Sequence, residues 1–376
     1  MNFIRRQRYL VDYIISSMLR RKGKNLGLML VYSLIVFMLA SVMLFTHALK
    51  QEVGLLLHSS PEIILQRMVA GRHDFIPASY LEKMGRIRGV TSRKGRLWGY
   101  LYDPSVKANY TLMVSDEQAL AATEVIIGSA IARARGVVPG DYISFRSFDG
   151  ETYSFQIKSL LDHETELVSA DLVLLNSKAY HALFGMPEGV YTDIVLSVSN
   201  PREVPKIAEK LSQRLPDTRP ILKQEILRTY DAIFSWRQGI LFVLLAGAIM
   251  AFVIFAWDKA SGLSAEEKRE IGILKSIGWE TSDVLHMKFW EGALLSLLSF
   301  FIGYLLAYLH VFYASASLFE PVLKGWAVLY PQFQLSPSVD GLQVATLFFF
   351  TVFPYVVATI IPIWQVAVTD PDAVMR

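Results

Sequence analysis

Four apolar runs, unevenly spaced, constrain this chain more than any other feature. The first covers residues 26–48, and about 190 residues pass before the second, at 239–257. Two more follow, near 292–313 and 341–364. A helix that crosses a bilayer needs roughly 20 mainly apolar residues, because the hydrocarbon core is about 30 Å thick. Leu26–Ala48 and Gly239–Trp257 contain no Asp, Glu, Lys or Arg. Gly292–Phe312 carries only His310 as a group that charges near neutral pH, and Gly341–Trp364 has no charge but contains Pro354 and Pro362. One such run fits the buried helix of a large soluble protein. Four in one chain argue for a membrane protein with a large insert after its first span. The charged fraction agrees: 19% here, against about 25% in ordinary soluble domains.

Orientation follows from the basic residues. Arg5, Arg6, Arg8, Arg20, Arg21, Lys22 and Lys24 precede the first run, with Asp12 as the one acid. Such an excess of Lys and Arg beside a first span predicts a cytoplasmic N-terminus. The expected organisation is then a cytoplasmic amphipathic segment (1–25), a first span (26–48), an extracytoplasmic domain (49–238) and a second span (239–257). A cytoplasmic segment (258–287), a third span (288–313), a short outer loop (314–340), a fourth span (341–364) and a cytoplasmic tail (365–376) complete it. A cleaved signal peptide is the competing reading of 1–48, but its apolar segment is longer than the usual 7–15 residues. Within the first segment Phe3, Tyr9, Leu10, Tyr13, Ile14 and Met18 recur with a helical period. With its basic flanks, that stripe suits a helix on the inner leaflet, bending at Gly23 into the first span.

The insert reads as mixed helix and strand. Strands are expected at Glu62–Met68, Val125–Ile127, Tyr142–Arg146, Tyr153–Ile157, Leu172–Leu175 and Tyr191–Val198, with a hairpin turn at Asp149-Gly150. Helices are expected at 78–87, at Ser129–Arg135 and at Val204–Leu215, the last with Val204, Ile207, Ala208 and Leu211 on one face. A further helix is expected from Ile221 to Trp236. The fold class is thus a membrane protein of four transmembrane helices, with a large mixed α/β domain inserted between the first two.

The sequence argues against independent chemistry in the insert. It has no HExxH spacing and no GxSxG. Asp162, His163, Glu164 and Glu166 look like a metal cluster but read as a solvated loop between strands. Cysteine is absent, so there is no disulfide and no thiol chemistry; an insert of this length can form its own core without staples. The clustered basic residues read as a topology signal, and no nucleic-acid partner is expected.

Residues 264–286 read SAEEKREIGILKSIGWETSDVLH. Ser264 and Glu267 fit a capping box, Ile271, Ile273, Leu274 and Ile277 supply apolar faces, and Gly278 fits a C-cap. A second helix is expected from about Thr281 straight into the third span. Composition leaves open whether this capped, charged helix is a connector or a docking surface.

The string EKREIGILKSIGW resembles the segment after the second span in permeases of the FtsX-like family, which includes MacB-type and LolC-type ABC transporters. The match continues into MKFWEGALLSLLSFFIGYLLAY, with Glu291 at the family's glutamate position, and into the ending PIWQVAVTDPDAVMR. VIIGSAIARARGVVPGDYISF resembles the family's outer core domain. Trp279 stands where the family has a small residue. The resemblance implies the permease subunit of a complex in the bacterial cytoplasmic (inner) membrane. A separate ABC ATPase dimer would bind ATP and Mg, since no GxxxxGK[ST] occurs here. It further implies a second permease copy or paralogue, and a periplasmic adaptor or extracytoplasmic client. The chain itself would be no enzyme and would hold no cofactor. In the family the 264–277 helix couples to the ATPase, which assigns that role to Glu267, Arg269, Glu270, Ile271, Leu274 and Ile277. The apolar three could instead pack on the protein's own spans. Glu291 could sit at the interface or pair with a basic residue. Pro354 and Pro362 are expected to kink or end the fourth span, and the small residues before and including Gly303 to permit close helix contact. Export, signalling to a partner such as a cell-wall hydrolase, and a scaffold without an ATPase are the competing functional classes.

Overall fold

The computed structural model describes residues 3–58, 60–115, 120–162, 165–229, 265–321, 328–332 and 335–368, with a few single residues between 232 and 254. The apolar run 239–257 and the tail motif from Asp370 to Arg376 therefore lie mostly or wholly outside the described residues, as does Ser264. The helices are α1 (Phe3–Arg20), α2 (Lys22–His58), α3 (Tyr80–Lys83), α4 (Ser129–Arg135), α5 (Glu166–Ser169), α6 (Ser177–Phe184), α7 (Val204–Arg214), α8 (Ala265–Ser276), α9 (Thr281–Phe312) and α10 (Gly341–Val368). The chain divides into a helical unit (1–48, 235–317 and 335–376) and an α/β unit (49–234 and 318–334).

The α/β unit has two main sheets. One has the order β13-β1-β12-β4, with β2 paired to β1, from β1 (Ile63–Val69), β2 (Arg72–Asp74), β4 (Val90–Arg96), β12 (Asp193–Val198) and β13 (Thr218–Leu222). The other is six-stranded, β5-β6-β10-β7-β9-β8, from β5 (Trp98–Asp103), β6 (Ala108–Val114), β7 (Glu124–Ile127), β8 (Tyr142–Arg146), β9 (Thr152–Leu160) and β10 (Leu172–Leu175). A two-stranded ladder joins β3 (Ile76–Pro77) to β11 (Val190–Tyr191). Each main sheet has its own core. Alternation puts Ile143 and Phe145 of β8 opposite Phe155 and Tyr153 of β9, and both β8 residues join Tyr110, Val125, Ile127 and Val173 in one core. The α7 face of Val204, Ile207, Ala208 and Leu211 closes the other core over Ile63, Leu65, Ile194 and Leu196.

Three local expectations give way in this unit. The helix expected at 78–87 is only α3, because Gly85 turns the chain at φ +60. Thr218–Leu222 is a strand, so the helix expected from Ile221 starts two residues later and is described over 223–229. Pro220 disfavours a helix there and is tolerated in β13 because that strand is an edge. Glu166, expected on a solvated loop, is fully buried and paired with Arg133. His163 and Glu164 lie outside the described residues. Gly128 enters α4 so close to the carbonyls of Ser169 and Ala170 that a Cβ has no room, which brings α4 against α5.

In the helical unit, α1 and α2 part at Arg21, two residues before Gly23, which lies inside α2. On α2 the stripe Leu28, Tyr32, Val36, Ala40 and Leu44 is buried, while Leu26, Leu30, Leu34 and Met38 are exposed. A helix apolar on all sides suits lipid on its outer face. Leu298, Phe301, Leu305 and Leu309 of α9 and Phe349 and Phe353 of α10 are exposed in the same way. By length and apolar content, Lys22–Leu55 and Thr281–Phe312 qualify to cross a membrane. The inner side of α9 is a run of small buried residues, Gly292, Ala293, Ser296, Ser299, Gly303 and Ala307. A Cβ at Gly303 would lie 2.5 Å from the Ser33 carbonyl oxygen of α2.

Candidate coupling site

The segment joining α8 to α9 is built by two opposed signals. Gly278, at φ +102, takes a backbone conformation that side chains disfavour and ends α8, and the Trp279 N–H reaches back to the Leu274 carbonyl at 3.0 Å. Two residues later Glu280 and Asp283 form a reciprocal capping box that starts α9.

The period of α8 then sorts its side chains. Ile271 (1% exposed) and Leu274 (6%) turn inward. Leu274 joins Ile14 of α1 and Met287 of α9 in a small core edged by Tyr13, Met18, Trp279 and Trp290. Thus part of the α1 stripe assigned to the inner leaflet is covered by this chain's own residues. On the opposite face Arg269, Ile273, Ser276 and Ile277 are exposed, Ile273 at 48% and Ile277 at 69%. Of the three apolar residues singled out from the sequence, two are therefore buried, and the exposed pair is Ile273 and Ile277. Glu267 lies on α8, with its side chain outside the described residues.

Glu270 is engaged rather than free. Its carboxylate accepts from the Tyr13 hydroxyl at 2.9 Å and from Arg21 Nη2 at 2.6 Å, with Arg20 at 3.5 Å. The Arg20 guanidinium also lies over the Tyr13 ring, 5.8 Å from its centre, and Tyr13 packs on Trp279 at 6.0 Å between rings. Burial, then the Glu270 hydrogen bond and charge, push the Tyr13 phenol above its ordinary range. The acid of α8 thereby pins it to α1. Tyr13, Arg20, Arg21 and Ile273 have parts here that the sequence reading did not give them. The i, i+4 spacing of Ile273 and Ile277 was a legible signal; the Glu270 partners had none, being 249 and 257 residues away.

Glu291 pairs with Lys288, one turn back on α9, at 2.6 Å, and Lys288 is itself buried. Pro354 and Pro362 lie within α10, which continues through both to Val368; neither ends it. Among the described residues no group of three His, Asp or Glu is placed to hold a metal ion.

Residues 238–371 match the family described as FtsX-like permease C-terminal. On this segment, which holds α8, α9 and α10, the chain is similar to the FtsX-like permeases, a class of membrane proteins. It is 23% identical over 185 residues to an uncharacterised ABC transporter permease of Methanocaldococcus jannaschii. That match covers 46% of this chain and 44% of the relative, so the chain spans under half of the length of the curated relative it matches. Two solved structures also align. The periplasmic region of MacB from Actinobacillus actinomycetemcomitans covers 46% of this chain and 93% of its own, at 10% identity and TM-score 0.32. The extracellular domain of the noncanonic ABC-type transporter YknZ from Gram-positive bacteria covers 43% and 100%, at 9% identity and TM-score 0.31.

Proposed function

We propose that this chain is the permease subunit of an ABC complex of export or mechanotransmission type, in which ATP hydrolysis by a separate ATPase subunit moves the α/β unit. The four apolar runs are four spans in the cytoplasmic membrane, both ends of the chain are cytoplasmic, and residues 49–238 lie outside. The ATPase dimer binds ATP and Mg, and a second permease, identical or paralogous, completes the complex. An adaptor or client meets the α/β unit. The α8 helix is the docking element.

The two-faced construction of α8 carries this reading. Its inner face is locked by Leu274 and Glu270, while Ile273 and Ile277 stand exposed beside Arg269. Exposed apolar side chains at i and i+4 are anchors for a groove in a partner, and the flanking charge steers approach more than it adds affinity. A neutral connector has no need of them. The test is co-purification of the full chain with its ATPase. Ile277→Asp is expected to abolish recruitment while leaving the melting temperature of the chain unchanged. Normal recruitment and ATPase stimulation in the double variant Ile273→Asp, Ile277→Asp would sink the docking role.

A further inference from the structure

The segment 314–340 reads from the sequence as a loop that leaves one apolar helix and enters the next. In the structure Leu318–Gln334 belong to the α/β unit, while the chain up to Ser317 and from Leu335 belongs to the helical unit. The chain therefore passes between the units at 48/49, 234/235, 317/318 and 334/335. The first two passages are the ends of the insert. The other two come from the link between α9 and α10.

Within that link, residues 328–332 are held by an ion pair whose acid is buried and whose base is partly exposed. Glu166, at the start of α5, is 0% exposed. Its Oε1 accepts from the Gln332 backbone N–H at 2.8 Å and from the guanidinium of Arg133 on α4. The same Arg133 nitrogen donates to the Tyr330 carbonyl at 3.1 Å. Leu329 packs against the core of the six-stranded sheet. One carboxylate and one guanidinium thus grip the link by its backbone, at one N–H and one C=O. Bonds to backbone groups are indifferent to which side chains the link carries, while their partners on α4 and α5 are not. A buried carboxylate is costly unless charge and hydrogen bonds compensate it. Here part of the compensation comes from the link itself, so seating the link and stabilising Glu166 are one event.

We propose that residues 328–332 are a strap and that Arg133–Glu166 is the clip that ties it down. Displacement of α9 and α10 is then passed to the α/β unit by a route separate from α2 and the second apolar run. The functional meaning of the strap rests on the coupling role proposed above; the clip does not.

Hydrogen–deuterium exchange on the full chain in detergent, with no ATPase present, tests the clip alone. In the wild type the amides of 328–332 are expected to be protected; free exchange there overturns the proposal at once. Glu166→Gln is expected to speed exchange in 328–332 about tenfold or more, the scale of one hydrogen bond to a charged group, while β6, β7 and β10 keep their protection. Arg133→Lys, which keeps the charge without the fork, is expected to fall between. Gln332→Pro removes the strap's donor without touching α4 or α5, so it reads the clip even if the substitutions at Glu166 and Arg133 unfold the unit. Unchanged exchange at 328–331 in Gln332→Pro refutes the clip. Failure of the coupling reading is seen elsewhere, as normal ATPase recruitment by the Ile277→Asp chain.

Discussion

Leu274 and Ile277 are both apolar, three positions apart on one helix, and the structure gives them opposite roles. Leu274→Ala removes a side chain packed between α1 and α9 and is expected to cost about 2–4 kcal/mol, measured as a lower melting temperature of the detergent-solubilised chain. An equal loss for Ile277→Ala would contradict the assignment of faces. Asp193 makes a similar point in the α/β unit. It is 1% exposed and held by both arms of Arg96 at 2.8 Å and by the Trp98 indole N–H at 2.9 Å. Arg96→Ala leaves that carboxylate without its ion partner and is expected to destabilise by about 3–5 kcal/mol, read by urea unfolding. A change under about 0.5 kcal/mol, usual for a surface position, would show the pair to be idle.

Elements carry the second level. The α8 stop depends on Gly278, and Gly278→Val is expected to cost about 1–3 kcal/mol through backbone strain, with loss of the capped turn. Circular dichroism and melting temperature would report it, and an unaltered melt would discount the glycine. The six-stranded sheet and α4 are joined by a titratable knot. Asp103, at the end of β5, meets the Tyr110 hydroxyl at 2.7 Å, the Ser105 hydroxyl at 2.7 Å and the Arg135 guanidinium. Burial opposes ionisation of Asp103, but the hydrogen bonds from Ser105 and Tyr110 and the Arg135 charge outweigh it and hold its carboxyl below the usual range. A depressed folded-state value stabilises the fold above the unfolded value, about 3.9. That contribution is lost as pH falls through the folded value. Stability is therefore expected to stay level near neutrality and to fall below about pH 4, with a smaller acid-side decline in Asp103→Asn. An identical acid profile in the variant would remove Asp103 from the account. At this scale the sequence was legible wherever structure follows from period. The alternation of β8 and β9 and the apolar face of α7 are local properties. Pro220 was legible as a helix breaker, but its strand needed β1 as a neighbour to exist.

For the whole molecule, the absence of cysteine provides a clean topology test. Tyr142→Cys on the α/β unit is expected to react with an impermeant thiol reagent from outside the cytoplasmic membrane, and Ile277→Cys only after that membrane is permeabilised. Both positions are exposed, at 67% and 69%, so access is set by the membrane. Labelling of both from the same side would overturn the proposed four-span arrangement. What the sequence determined by itself is what neighbouring residues decide: the apolar runs, the amphipathic faces, the hairpin, and the family signature around EKREIGILKSIGW. Only tertiary structure decided which isoleucines of α8 face out, that Glu270 is held by Tyr13 and Arg21, and that Glu166 grips a link 166 residues further along. The physical reason is that burial and ion pairing depend on which distant surface arrives. A carboxylate bound for water and one bound for a guanidinium look alike in sequence until the fold brings the partner to it.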